Sequence, residues 1–427
     1  MTNKVNNTEK VKKVLIDVGS STLKIYEARG SSLKLVITRS IPFKQDFDPE
    51  KGISDVNKKA LIELLIEVKR KYKNTPIKLY ATALWRQLSG RARREFVDEI
   101  FERTGLFFNI ITHDLESFYL QVALTGKYSE AKESFLLINI GGGSTELVVM
   151  QGKEAIEIKN IELGVGTILT EFGNINDSIS GAKLEGVSRF VFDKLPQLKN
   201  KVKIAFYSGG ELNYMQLAKY KLIKNNLFSD KDHPSILRYK DFKEKNEYVF
   251  HKLKLEELEK LMPDNPKWMH GARACSAIAQ AICEKYGVEM IIPSNSNLMD
   301  GVIRQEFRYV TISGSFRKHL VHILKIRKQL IDQSVQVLSP RFTNPKNPGE
   351  EFVIFSGEEG SSPLNLERHH INSIEKSDAL IVCDPDGYVG ASALIEIGYA
   401  NSLGKRIIFT EKPEEFMLDT LPAEVIL

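Results

Sequence analysis

The sequence predicts an α/β protein made of a repeated strand–glycine turn–strand unit and closed by a C-terminal doubly wound parallel sheet. Three observations predict it. Short β-branched runs alternate with stretches of helical periodicity along the chain. The opening pattern DVGSSTLKI (17–25) returns as NIGGGSTELVV (139–149): an apolar strand, an acidic or amide residue, a Gly-rich hydroxyl turn and a returning strand. Near Tyr309 the pattern changes to strand–helix–strand order with glycine at the turns.

The elements follow in order. VLIDVG (14–19) is a buried strand ending in glycine, and LKLVIT (33–38) continues it as a hairpin. Leu61, Leu64, Leu65 and Val68 give residues 58–73 helical periodicity. IKLYATAL (77–84) reads as a strand, ARREFVDEIFERTG (92–105) as a helix closed by Gly105, FNIIT (108–112) as a strand and LESFYLQVAL (115–124) as a helix. Residues 135–166 repeat strand, Gly/Ser turn, strand, turn, strand. The C-terminal module opens with the strand YVTISG, then a helix (318–332), the strand VQVLSP (335–340) and a Pro/Gly/Asn-rich loop (343–349). A helix near 364–377, the strand ALIVCDPDG (379–387), the helix SALIEIGYANSLG (392–404) and the strand RIIFT (406–410) complete it.

A length of 427 residues exceeds one ordinary domain, and 42% hydrophobic with 27% charged residues excludes a disordered, collagen-like or coiled-coil chain. No apolar run approaches the roughly 20 residues of a spanning helix, and the N-terminus is polar; a soluble cytoplasmic protein is expected, with no membrane partner. Cys275, Cys283 and Cys383 are too few and too scattered for a disulfide framework or a zinc site. From Tyr309 onward 12 Lys+Arg face 16 Asp+Glu, a net of −4, and the remainder carries +9. A basic body favours polyanions in general. No aromatic–basic stripe or recognition motif points to nucleic acid.

A Gly-rich turn with small hydroxyl residues lets several backbone N–H groups approach one phosphate, because no Cβ blocks it. Gly19, Ser20 and Ser21 form one such turn, and Gly141, Gly142, Gly143, Ser144 and Thr145 the other. Asp17 and Glu146 beside them are candidate Mg²⁺ carboxylates.

These residues, with ATALWR (81–86), ITHDLES (111–117), ELGVGT (162–167), SGGEL (208–212) and SNSNLMDGVI (294–303), resemble the exopolyphosphatase/guanosine pentaphosphate phosphatase family over about residues 12–307. The resemblance implies duplicated actin-like (ribonuclease H-like) lobes around a cleft, at 12–126 and 127–307, followed by a third domain at 308–427. It implies a polyphosphate or phosphorylated nucleotide as ligand. It also implies Glu116 as the base towards the attacking water, Arg86 as a phosphate-binding guanidinium, and Asp17 and Glu146 on the metal side. Asn139, Leu115 and Met299 stand where the family has Asp, Glu and Arg. These departures leave an alternative: a non-catalytic sensor of a phosphorylated signal that gates the C-terminal module. A homodimer is a further expectation.

The C-terminal module carries a second resemblance. ISGSFRKH (312–319) and DPDGYVGASALIEIGYANSLGKRIIF (384–409), with Glu-x-Gly-Tyr-Ala on a helix, are similar to the nucleoside 2-deoxyribosyltransferase family and its nucleotide N-glycoside hydrolase relatives. This similarity implies a nucleoside or nucleotide ligand, with Glu396 acting on the sugar C1. Gly314 and Ser315 would cradle its phosphate or ribose, and Asp384 and Asp386 its hydroxyls or base. His319, His322, His369 and His370 show no metal-ligand spacing and are expected to be structural or solvent-facing.

Overall fold

The computed structural model describes residues 10–425 apart from 31, 126, 127, 129–131, 264, 265 and 351. The chain forms two compact units, Met1–Ile111 with Gln305–Leu427, and Thr112–Arg304.

The first unit holds two sheets. One is ordered β3-β2-β1-β4-β5, from β1 (Lys13–Val18), β2 (Thr22–Arg29), β3 (Ser32–Ser40), β4 (Ile77–Ala81) and β5 (Phe108–Ile110). The hairpin strands pair antiparallel, and β4 and β5 add in parallel. Two helices cover it. Helix α1 (Asp55–Lys71) starts at Ser54, whose hydroxyl accepts the Asn57 N–H, and buries Leu61, Leu65 and Val68 at helical spacing. Helix α2 (Gly90–Thr104) starts at Ser89 and stops at Gly105, whose φ of 66° is the left-handed cap that glycine favours.

Two strands end earlier than their sequence suggests. At 77–84 the chain leaves the sheet after Ala81 and makes a short 3₁₀ turn, Ala83–Gln87, which drives Trp85 into the core against Phe43, Phe96 and Phe108. At 108–112 the strand stops at Ile110 because Thr112 caps the next helix, its Oγ1 accepting the Leu115 N–H at 3.2 Å.

The second unit carries the duplicate sheet, ordered β10-β11-β12-β9-β6-β7-β8. Its strands are β6 (Ser134–Ile140), β7 (Thr145–Gln151), β8 (Glu154–Ile161), β9 (Ile204–Ser208), β10 (Ile223–Lys224), β11 (Ser235–Arg238) and β12 (Met290–Pro293). The helices are α3 (His113–Thr125), α4 (Val165–Glu171), α5 (Leu184–Lys194), α6 (Glu211–Leu217), α7 (Tyr239–His251), α8 (Leu255–Leu261), α9 (Ala272–Tyr286) and α10 (Leu298–Arg304). Helix α9 is buried along Ala272–Cys283, and its small residues let β6, α5 and α7 pack closely around it.

The remaining sheet of the first unit is wholly parallel, ordered β14-β13-β15-β16-β17. Its strands are β13 (Tyr309–Gly314), β14 (Gln336–Ser339), β15 (Ala379–Cys383), β16 (Arg406–Phe409) and β17 (Glu424–Val425). This 2-1-3-4-5 order is the flavodoxin-like form of the doubly wound sheet, with its switch point between β13 and β15. Helices α11 (Phe316–Asp332), α12 (Pro363–Lys376), α13 (Ala391–Ser402) and the short α14 (Phe416–Asp419) connect the strands. FVIFSG (352–357) adds no ladder strand and makes only a single bridge, Pro345 to Phe355. Among the described residues no helix is long and apolar enough to cross a membrane.

Candidate functional site

In the second unit the Gly-rich motifs converge. The β6–β7 turn closes with the Gly141 N–H donating to the Ser144 carbonyl at 2.8 Å. ELGVGT lies directly on that turn: Val165 and Gly166 N–H groups donate to the Gly141 and Gly142 carbonyls. A Cβ at Gly164 would sit 2.5 Å from the Gly141 oxygen, so only glycine permits this approach. The Thr145 hydroxyl is spent on the Leu163 carbonyl, at 2.6 Å. SGGEL turns through Gly209 and Gly210 at φ 109° and 99°, and the Gly210 and Glu211 N–H groups donate to the Ser294 carbonyl. The Ser294 hydroxyl contacts His233 Nε2 at 2.9 Å, and Asp230 holds the other ring nitrogen, so a buried relay anchors the third turn. Burial pushes the Glu211 carboxyl, at the start of α6, up to about 8.

Glu146, 1% exposed, accepts from Asn139 Nδ2 at 2.8 Å and from Ser144 Oγ at 2.6 Å. Asn139 in turn accepts from Ser208 Oγ at 3.1 Å. Asn139 is thus a neutral amide that aims the neighbouring carboxylate. Glu116, in the first turn of α3, and His113, three residues before it on the same face, complete a cluster. One donor atom from each of His113, Glu116 and Glu146 lies within 4.8 Å of the others. An ion at roughly 2.0–2.4 Å from three donors requires spacing of this order, and two carboxylates with an imidazole suit a divalent cation. Leu115 and Met299 are buried apolar side chains.

In the first unit Gly19, Ser20 and Ser21 form the β1–β2 turn, and the Gly19 N–H donates to the Thr22 carbonyl at 2.9 Å. Trp85 Nε1 donates to the Gly19 carbonyl at 3.3 Å, which fixes the ATALWR turn against it. Arg86 follows, half-buried, with Nη1 donating to the Ile111 carbonyl. Asp17 pairs across the hairpin with Lys24, as Asn139 pairs with Glu146 in the duplicate. The carboxylate therefore sits on the outgoing strand in one hairpin and on the returning strand in the other. Burial raises the Asp17 carboxyl, with Lys24 opposing.

The sequence pattern of the Ppx/GppA phosphatase family matches residues 55–309, more than half of the chain. The chain belongs to the Ppx/GppA phosphatase family. Among solved structures, the Aquifex aeolicus PPX-GPPA enzyme is similar with a TM-score of 0.51 at 20% identity, over 68% of this chain and 98% of that one. An exopolyphosphatase from Cytophaga hutchinsonii reaches 0.54 at 13% identity, over 69% and 97%. These likenesses show the fold, the actin-like α/β architecture that the family resemblance implies. Among curated proteins no sequence matches.

This Ppx/GppA chain carries a further cavity, in the parallel sheet beyond the matched residues. Its volume is about 290 Å³, and it opens where β13, β14 and β15 end. Gly314 and Ser315 at the end of β13, Ser339 at the end of β14, and Tyr388 and Gly390 after β15 line it, with Glu396 and His370. The N-termini of α11 and α13 both reach it, and α13 begins at Gly390 with no side-chain cap for its first N–H groups. Gly314, Ser315 and Glu396 are thus brought together. Asp384 and Asp386 do not line the cavity. Asp384 is fully buried and accepts from the Thr410 and Glu411 N–H groups, and Asp386 is an exposed turn residue at φ 58°.

Sequence reasoning missed two residues. His113 was signalled only by its i, i+3 spacing to Glu116. His370, expected to be structural or solvent-facing, lines the cavity beside Glu396, a contact that only the packing of α12 on α13 creates.

Proposed function

We propose that the chain is a phosphoanhydride hydrolase that removes the terminal phosphate of polyphosphate or of a guanosine tetra- or pentaphosphate. The observation that carries this reading is Glu116 beside Glu146 and His113, next to the GGGST turn. The backbone N–H groups of Gly141–Thr145 would bind phosphate oxygens beside that cluster; in the first unit the Gly19–Ser21 turn and Arg86 offer donors of the same kind. Thr145 contributes only its backbone, because its hydroxyl is committed to Leu163. Glu116 orients the water and takes its proton as the water oxygen attacks the terminal phosphorus; the bridging P–O bond breaks and its electron pair stays on the leaving phosphate. Glu146 and His113 would hold a divalent cation, with Mg²⁺ the expected one. Such an ion, when bound, neutralises phosphate charge.

The test is phosphate release from polyphosphate and guanosine pentaphosphate, with and without Mg²⁺. Glu116→Gln should lower it by about 10²–10⁴-fold while leaving ligand binding nearly intact. If the wild type binds these compounds and releases no phosphate, the protein is instead a sensor of a phosphorylated signal.

A second reading applies to the C-terminal cavity, and Glu396 on its wall favours it. Here a nucleoside or nucleotide binds with its phosphate or ribose at Gly314, Ser315 and the α11 and α13 N-termini, and Glu396 attacks the sugar C1. Glu396→Ala should abolish release of free base from labelled nucleotides and leave phosphate release unchanged.

A further inference from the structure

The C-terminal cavity contains a built pair of ionisable groups. His370 and Glu396 are 8% and 6% exposed, and His370 Nε2 approaches Glu396 Oε2 to 3.1 Å. The approach is not aligned as a hydrogen bond, and each of these two buried atoms is left without an aligned partner in a cavity wall. Both atoms thus face the cavity within reach of each other and of anything bound there. The opposite ring nitrogen, Nδ1, contacts Ser339 Oγ at 2.7 Å, which fixes the ring plane from β14. A residue from each of β14, α12 and α13 thus forms one Ser339–His370–Glu396 line ending in the cavity.

We propose that His370 is the proton carrier of this cavity: it gives its Nε2 proton to the departing base and later takes one from water. The step rests on the N-glycosidic reading of Glu396. In the first half, a Glu396 oxygen bonds to C1 as the C1–N bond breaks. The electron pair leaves on the base nitrogen, which receives the His370 proton. Ester formation removes the Glu396 charge, so the imidazole beside it is no longer stabilised as a cation and remains neutral. In the second half, water attacks C1, its proton passes to Nε2 and the Glu396–C1 bond breaks. The sum is one nucleotide and one water converted to free base and sugar phosphate.

The surroundings agree with an imidazolium before reaction. Burial opposes the charge, but Glu396 of α13 and Glu367 of α12 outweigh it and raise His370 above the ordinary histidine value. Ser339 and the Phe316 ring, its other close neighbours, are uncharged, and Arg317 and Glu358 are the cavity's remaining charges. The charged form is therefore favoured relative to an ordinary histidine and is lost as pH rises through the raised value.

The experiment has two arms on the full chain. Ring NMR of His370 is followed against pH in the wild type and in Glu396→Gln, and the titration should move to lower pH in the variant. Free-base release from deoxynucleoside 5′-monophosphates is measured against pH in the wild type, His370→Asn and Ser339→Ala. Wild-type release should fall as the ring loses its proton. His370→Asn should lose about 10²–10⁴-fold and its alkaline limb while still binding nucleotide. Ser339→Ala, which only frees the ring, should lose less and keep the pH profile. Wild-type rates and profile in His370→Asn would overturn the proton-carrier role and leave Glu396 as sole actor. An unmoved ring titration in Glu396→Gln would overturn the pair whatever the activity. Nucleotide binding without base release by the wild type would overturn the N-glycosidic reading itself, and the proton step with it.

Discussion

At Asn139 one atom decides how much charge faces the GGGST turn. Its Nδ2 donates to Glu146, 2.8 Å away, while its Oδ1 is held by Ser208. Asn139→Asp would turn that donor into an oxygen facing a carboxylate, a repulsion that only a cation or a shared proton relieves. The variant should lose about 1–3 kcal/mol without metal, the cost of an unsatisfied buried group. Added Mg²⁺ should then raise its thermal midpoint more than it raises the wild type's, since a ligand of the folded state stabilises by mass action. Equal shifts in the two proteins would remove the cation from this position. Residue identities were legible only where a motif carries them: Glu116, Glu146 and Glu396 lie in recognisable strings. His113 and His370 acquire meaning from neighbours that folding supplies, and a lone histidine in a sequence does not announce its partner.

Glycine contacts fix how some of the elements that carry these residues pack. Helix α10 packs on α3 through Gly301, where a Cβ would lie 2.0 Å from the Tyr119 carbonyl oxygen. Backbone cannot yield as a side-chain tip can, so Gly301→Ala must push apart the helix that carries His113 and Glu116. Overpacking of this kind costs typically about 1–3 kcal/mol. We expect a lower urea midpoint together with a loss of phosphate release out of proportion to the fraction unfolded. Gly186 on α5 is the control, exposed and with open space where its Cβ would be. Gly186→Ala should be stabilising by about 0.5–1 kcal/mol, the helix-propensity difference. If both variants behave alike, close approach is not what Gly301 provides. Strand and helix existence was readable from period and caps, as at Ser89 and Gly105. The early ends at Ala81 and Ile110 were not, because Trp85 seeking the core and Thr112 capping α3 are decided by tertiary packing.

On the scale of the whole first unit, buried charges tie the parallel sheet to the hairpin sheet. Arg406 of β16, 3% exposed, contacts Glu306 at 2.6 Å and also Glu424 of β17. Lys13 of β1 reaches Glu306 at 2.6 Å, and Lys78 of β4 reaches Glu424 at 2.9 Å. The sequence shows an acidic module after a basic body, and part of that charge pairs the module with the hairpin sheet. Burial opposes ionisation of Glu306, but Arg406, Lys13 and Lys78 outweigh it and hold the carboxyl well below the usual range; Arg406 and Lys78 do the same for Glu424. Carboxylates depressed in the folded state stabilise it at pH above the ordinary value of about 4.3, and the contribution fades as pH falls from there towards the folded values. Removing one partner of a buried ionic set costs about 3–5 kcal/mol, because the remaining charges stay desolvated. Arg406→Met should therefore lower the urea midpoint at neutral pH. It should also move the acid unfolding midpoint of the full chain to higher pH, since less stability then remains to be lost on acidification. Glu306→Gln, which removes one depressed carboxyl outright, should shallow the acid dependence instead. An acid midpoint that stays in place in Arg406→Met would mean that the two sheets are held by their apolar contacts and that these charges are incidental to the docking.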